Sequence, residues 1–404
     1  MSEWRKLPLK EITVKIGSGS TPTGGSGAYK ETGVSLIRSQ NVLDFSFTNN
    51  GLAFIDEEQA HALRNVIVEP QDVLLNITGD SVARCCSAPK EWLPARVNQH
   101  VAIIRANPKH LDSLFLKYSL ISIKDELLSL SEIGGTRNAL TKGMLENLKL
   151  FVPSVIEQEA IASVLSSLDE KIDLLHRQNK TLESMAEILF RQWFDVGSNE
   201  EWQEKNVLDI FALVGGGTPK TSVAEYWSDE IPWISGGDIS SAHQGYLYRT
   251  EKSISLAGLQ NSSAKLLPKN STVISARGTV GKYALIARDM TFSQSNYGIV
   301  SKIGSYPFFI YLLVGFIVDD LLAAAYGSVF DTITTRTFES VNLKFPSLNS
   351  IEKFNKEVAW LFNKKEINTS QIKTLEKLRN TLLPKLMSGD VRVQYVEEAI
   401  ASVA

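Results

Sequence analysis

The chain has 404 residues, 43% apolar and 22% charged, with a formal net charge of −3 and a sequence pI of about 6.1. That length exceeds one compact core of ordinary size and calls for two or three domains, while the mild acidity excludes a generic polyanion binder, so any nucleic-acid surface has to be local or shared with a partner. The only cysteines, the neighbours Cys85 and Cys86, cannot build a disulfide framework or complete a tetrahedral zinc site, and MSEWRKLPLK lacks the apolar core of a signal peptide; a cytoplasmic protein is expected.

The first half opens on Trp4 and a glycine-rich turn, GSGS, that runs into Thr21-Pro22. The short β-branched runs GVSLIR, DVLLNIT and HVAIIR follow, punctuated by Gly, Pro, Asn and Ser, the pattern of a strand-rich domain of roughly 150 residues. An amphipathic helix is expected near residues 111–130, then a loop, a last strand ending at Pro153, and a long helix.

The second half repeats this order. Trp202 matches Trp4, GGG precedes Thr218-Pro219, and WISGGDI aligns with LIRSQNV. LTKGMLENLKLFVPSV and ITTRTFESVNLKFPSL share Thr141/Thr334, Glu146/Glu339, Leu150/Leu343 and Pro153/Pro346, and QNKTLE at Gln178 returns as QIKTLE at Gln371. The apolar run Phe308–Val318 is too short to span a bilayer and is followed at once by Asp319 and Asp320, so a buried helix is expected over residues 307–325. The boundaries read as 1–153 and 196–346 for the two strand-rich domains, 154–195 and 347–390 for a central and a distal long helix, and 391–404 for a tail.

Both long helices carry a heptad seam. In the central helix it runs Ile161, Leu165, Leu168, Ile172, Leu175, Asn179, Leu182, Ala186, Leu189, Trp193; in the distal helix it is more polar: Phe354, Val358, Leu361, Lys365, Asn368, Ile372, Leu375, Arg379, Leu382, Leu386. Residues 157–193 hold four basic and seven acidic side chains, residues 347–390 eight and five, so opposite charge makes the helices each other's partners. A duplication with a pseudo-twofold sets them antiparallel. The register that joins Asn179 to Asn368 also joins Ile172 to Leu375 and Leu165 to Leu382, and a buried asparagine pair would penalise slipped alignments. The expected fold class is α/β of the α+β kind: two strand-rich domains in pseudo-twofold tandem repeat, separated by two long helices forming an antiparallel coiled coil.

No HExxH, P-loop, GxGxxG or GxSxG pattern occurs, and the five histidines lack metal-ligand spacing, so neither a catalytic centre nor a metal is expected in this chain. The glycine-rich turns invite a phosphate-cradle reading, with an ordinary turn as the plain alternative. What remains is a set of polar loops after strand ends. In the first half the candidate DNA contacts are Ser20, Thr21, Arg38, Gln40, Asn41, Thr78, Arg84, Asn98, Gln99 and Arg137; in the second they are Thr218, Lys220, Ser235, Asp238, Arg277, Thr279, Lys282, Gln294, Asn296 and Arg336. Arg suits guanine and Asn or Gln suits adenine in the major groove, while Ser and Thr suit phosphates. Any one of them taken alone is better explained as a solvated turn residue; the signal is that corresponding loops carry different letters.

In this order and duplicated, Trp…GSGSTP and Trp…GGGTP, IPWISGGDI, LPKNSTVISARGTVGKYAL, the helix entry FVPSVIEQEAI and the distal LRNTLLPKLMSGDVRV resemble the specificity subunits of type I restriction-modification enzymes. The resemblance covers both halves and both helices. It implies two target-recognition domains that each read one half of a bipartite, asymmetric double-stranded DNA target. It also implies two docked methyltransferase subunits that use S-adenosylmethionine, and restriction subunits that use ATP and Mg, with no catalysis in this chain. The second copy departs from the pattern at Asn349-Ser350-Ile351, where the first has Ile156-Glu157-Gln158. Two rival readings are a stand-alone enzyme and a coiled-coil adaptor that binds no DNA.

Overall fold

A computed structural model describes residues 4–132, 138–194, 202–326 and 332–393. The chain packs as two units, one built from Met1–Asp173 with Lys373–Ala404, the other from Leu174–Ile372. Each long helix is therefore divided between them.

In the first unit an antiparallel sheet has the order Thr13–Ser18, Val101–Ala106, Val73–Asn76, Cys85–Ser87, and a second sheet the order Ala53–Ile55, Val34–Ile37, Ala95–Val97, Ile67–Val68. Apolar cores cover both faces of the first sheet. Side chains alternate across a strand, so Val73 and Leu75 enter one core while Leu74 enters the other, and DVLLN reads as a continuous apolar run instead of an alternating one. Cys85 and Cys86 part in the same way. Burial raises both thiols, Cys86 to about 12, which keeps them protonated.

The second unit repeats the plan with a five-stranded sheet, Phe211–Gly215, Asn296–Ser301, Thr272–Ser275, Tyr283–Ile286, Tyr246–Leu247, and a three-stranded one, Lys252–Ile254, Trp227–Ile234, Thr291–Phe292. In each unit the strand before the long helix pairs antiparallel with the first strand: Lys149–Val152 with Arg5–Pro8, and Asn342–Phe345 with Gln203–Asn206.

The helix expected over residues 111–130 is two helices, Ser113–Ser122 and Lys124–Glu132, with Ile123 out of helical geometry between them. The Ser119 and Ser122 hydroxyls donate to the Phe115 and Ser119 carbonyls at 2.8 Å, a local competition for backbone acceptors that weakens helix continuation. Its counterpart Pro307–Ala325 is unbroken. Neither is amphipathic as expected: Phe115–Ile121 and Phe308–Val314 are buried on every side. Pro307–Ala325 is long and apolar enough to cross a membrane, and it is the inner helix of the second unit, packed with Ile274, Phe338 and Phe354.

The long helices span Val155–Trp193 and Leu348–Ser388. Gln158 anchors the first entry. Its buried amide donates to the carbonyls of His110 and Pro153 at 3.0 Å and accepts from Asp112 N–H at 2.9 Å. The second copy has buried, apolar Ile351 at that place, and there Asn355 Oδ1 accepts from the Phe308 and Phe309 N–H groups, both at 3.1 Å. The motif departure is thus a changed way of stapling the helix entry.

Along the seam, Ile161, Leu165, Leu168 and Ile172 are buried within the first unit, and Leu175, Leu182, Val358, Leu361 and Ile372 within the second. Asn368 Nδ2 lies 3.0 Å from Asn179 Oδ1, and Asn179 Nδ2 donates to Thr369 Oγ1 at 3.2 Å. Leu375 is half-buried. Two seam expectations need correction. Leu189 and Leu382 are only half-buried, and their neighbours Phe190 and Leu383 enter the cores instead. Phe190 turns toward the rings of Phe309, Phe316 and Phe354, each 5.7 Å away, so the buried stripe follows the globular part of the unit at that end.

Candidate nucleic-acid interface

In each unit, turns from separate strand ends are woven together by closely matching backbone bonds, shifted by one residue at the glycine-rich turn. In the first, Asn98 N–H donates to the Ile37 carbonyl, Gly19 N–H to Asn98 and Ile77 N–H to His100, at 3.0–3.1 Å. In the second, Ser293 donates to Ile234, Gly217 to Phe292 and Ala276 to Ser295, at 2.9–3.0 Å. The glycine-rich turns are explained by this weave. A Cβ on Gly19 would strike the Val97 carbonyl, and one on Gly216 the Ser293 carbonyl, so bare backbone is required on packing grounds.

Four expected base readers sit inside the turns and are withdrawn as base readers. Asn41 is fully buried. Its Oδ1 accepts from Arg38 N–H at 3.1 Å, and its Nδ2 donates to the carbonyls of Thr48 and Asn50. Asp238, its counterpart, accepts from Ser235 N–H and Oγ at 2.8 and 2.7 Å and from Glu251 N–H at 2.9 Å. Buried Asn98 accepts from His100 N–H at 3.0 Å, and buried Asn296 donates to Ser293 Oγ at 2.9 Å. Short polar side chains next to a turn bond most readily to their own backbone. Ser235 is spent in the same cap.

The remaining candidates among the described residues are half-buried or exposed. In the first unit Thr21 donates to Gln99 Oε1, Gln99 Nε2 lies 3.0 Å from His100 Nε2, and His100 Nδ1 meets Thr78 Oγ1, which draws three expected contacts into one chain. His100, which the polar loop Asn98-Gln99-His100 also offers as a contact, joins Gln99 to Thr78 in it. Arg38 lies over the Tyr29 ring at 5.1 Å and donates to the Gly51 carbonyl, which Gln40 also reaches at 3.0 Å. Tyr29 carried no signal in the sequence. Ser20 is exposed beside Thr21, and Arg84 is half-buried. Arg137 lies outside the described residues.

In the second unit the turn after Ser275 is held by Thr279, whose Oγ1 donates to the Gly236 carbonyl at 3.2 Å and lies 3.1 Å from Ser275 Oγ. Gly278 and Gly281 adopt positive φ within it. Arg277, Lys282, Gln294 and Arg336 are exposed. The half-buried Thr218 and exposed Lys220 lie on the neighbouring glycine-rich turn, where the Lys220 carbonyl accepts from Trp227 Nε1 at 3.3 Å. Among the described residues, no group of three or more His, Cys, Asp or Glu side chains is placed to hold a metal.

A family profile described as Type I restriction modification DNA specificity domain matches residues 1–184 and 199–378. The type I restriction enzyme MjaIX specificity subunit of Methanocaldococcus jannaschii is 26% identical over 97% of this chain and 94% of its own. The HindI specificity subunit of Haemophilus influenzae is 23% identical over 97% of this chain and all of its own length. The crystal structure of the S subunit from M. genitalium superposes with a TM-score of 0.58 at 15% identity, covering 95% of this chain and 96% of that one, and so shares the fold. With two copies of the specificity domain on duplicated backbone weaves and paired helices, the chain belongs to the family of type I restriction-modification specificity subunits, the non-catalytic DNA-recognition components of those systems.

Proposed function

We propose that each unit reads one half of an asymmetric, bipartite double-stranded DNA target, that the paired helices set the spacing between the halves, and that two methyltransferase subunits dock on those helices. The supporting observation is that one backbone weave presents unlike side chains at matching places: Arg38 against Ser235, Gln40 against Gly237, Thr78 against Arg277 and His100 against Ser295. Two readers with different lettering suit an asymmetric target. S-adenosylmethionine would be bound by the methyltransferase subunits, and ATP with Mg by the restriction subunits. Residues 1–153 carry 17 basic and 16 acidic side chains and residues 196–346 carry 12 and 14, so DNA binding by the isolated chain is expected to be weak, tightening with a steep salt dependence once partners add charge.

Co-expression with the methyltransferase subunit of its own locus, followed by genome-wide mapping of methylated adenine, is expected to yield one bipartite motif with a fixed gap. Arg277→Ala is expected to relax one base of one half-site, at a cost of about 1–3 kcal/mol in discrimination, and to leave the other half-site intact. A motif with no gap, or a change in both half-sites, would contradict the assignment. The Asn179–Asn368 pair would serve register. Its joint replacement by leucine should raise the melting temperature, since a polar pair made of fully buried Asn368 and half-buried Asn179 costs stability for specificity; a lower melting temperature would rule that role out.

A further inference from the structure

Tyr118 and Tyr311 occupy the same place in the two repeats, and both are buried. Each hydroxyl donates to a carboxylate on the central helix: Tyr118 to Asp169 Oδ2 at 2.6 Å, Tyr311 to Glu183 Oε1 at 2.8 Å. Each carboxylate in turn meets a buried base of the distal helix. Arg379 Nη1 reaches Asp169 Oδ1 at 2.9 Å, and Lys365 Nζ pairs with Glu183. The acids are not repeat equivalents, because Phe362 stands where Asp169 would recur and Glu376 where Glu183 would. The same latch is thus assembled twice from different residues: inner helix of the globular part, central helix, distal helix. The first is reinforced by Lys117, 3.0 Å from Asp169, and by Phe45, over whose ring Arg379 lies at 3.6 Å.

We propose that these two latches, Tyr118–Asp169–Arg379 and Tyr311–Glu183–Lys365, lock each recognition domain at one angle on its stretch of the helix pair and so determine how strictly spacer length is enforced. This rests on the reading of the helices as the spacer. Apolar packing is non-directional and tolerates rocking, whereas a buried charge with directional partners has one good arrangement and is costly in any other. One base pair of spacer is only about 3.4 Å, so a small rotation at the domain base is enough to reach it.

The test is methylome mapping of Tyr118→Phe, Tyr311→Phe and the double variant in the methyltransferase complex, with Val358→Ala as a control that loosens the helix seam without touching a latch. Expected are unchanged half-site bases and, in the Tyr→Phe variants alone, a rise of about tenfold in methylation at spacers one base pair too short or too long, as for loss of a hydrogen bond to a charged group. Unchanged spacer selectivity, or equal relaxation in Val358→Ala, would overturn the latches and leave the spacer reading standing. A wild-type motif without a fixed gap would overturn both.

Discussion

Inserting one heptad into each long helix, between Asp173 and Leu174 and between Ile372 and Lys373, is expected to abolish methylation of the native target and to transfer a weaker activity to a longer one. These points divide the two compact units, so neither unit loses its own core. Seven residues add about 10 Å of helix, close to three base pairs at about 3.4 Å each. The duplex turns by about 100° over that distance, at about 10.5 base pairs per turn, while a helix drifts only about 20° per heptad. On a spacer three base pairs longer the second half-site would be met at the right distance and the wrong angle, and on the native spacer the second reader would stand about 10 Å out of place. Several base contacts worth about 1–3 kcal/mol each would be strained together, a loss on the order of 100-fold or more on the native spacer. Motif mapping decides the matter: an unchanged spacer at undiminished efficiency would remove the helices from any role in measuring DNA.

The largest effect on stability is expected from Asp169→Ala. It strands Lys117 and Arg379, which are 4% and 8% exposed, and leaves the Tyr118 hydroxyl without its acceptor. Removing one member of a buried ion cluster leaves uncompensated charge in a low-dielectric site and costs about 3–5 kcal/mol, far more than a surface pair would. Asp169→Ala with Arg379→Ala should lose less than the sum of the single variants, because the second change removes one stranded charge. Denaturant titration of all three measures this directly. A loss under about 1 kcal/mol for Asp169→Ala would mean that water reaches the cluster and that it carries little of the fold.

Much of this was legible in the linear chain because it depends on local pattern. The duplication, the strand texture and the two helix entries follow from spacing and turn chemistry, and Asn179 and Asn368 could be matched by counting along two seams. The candidate interface was only half legible. Asn41 and Asp238 have the right chemistry for base edges, yet the same oxygens cap their own turns, and the letters alone do not say which use prevails. Arg38 has the chemistry for guanine, and only the fold shows that the Gly51 carbonyl and the Tyr29 ring fix where its guanidinium lies. Asp169 stands beside the seam residue Leu168, and nothing in the heptad pattern names its partners; Lys117 and Tyr118 of Ser113–Ser122 and Arg379 of the distal helix converge on it.

By itself, then, the sequence determined the repeat, most of its elements and the pairing register of the asparagines, which rest on periodicity and neighbouring residues, while the family was legible through the resemblance of its ordered motifs. Tertiary structure alone decided which polar side chains point outward, where the seam turns aside at Phe190 and Leu383, and that two unlike acid–base pairs build the same buried latch. Burial and partnership are set by segments distant in the chain, and a polar residue spends its hydrogen bonds on whichever of them arrives.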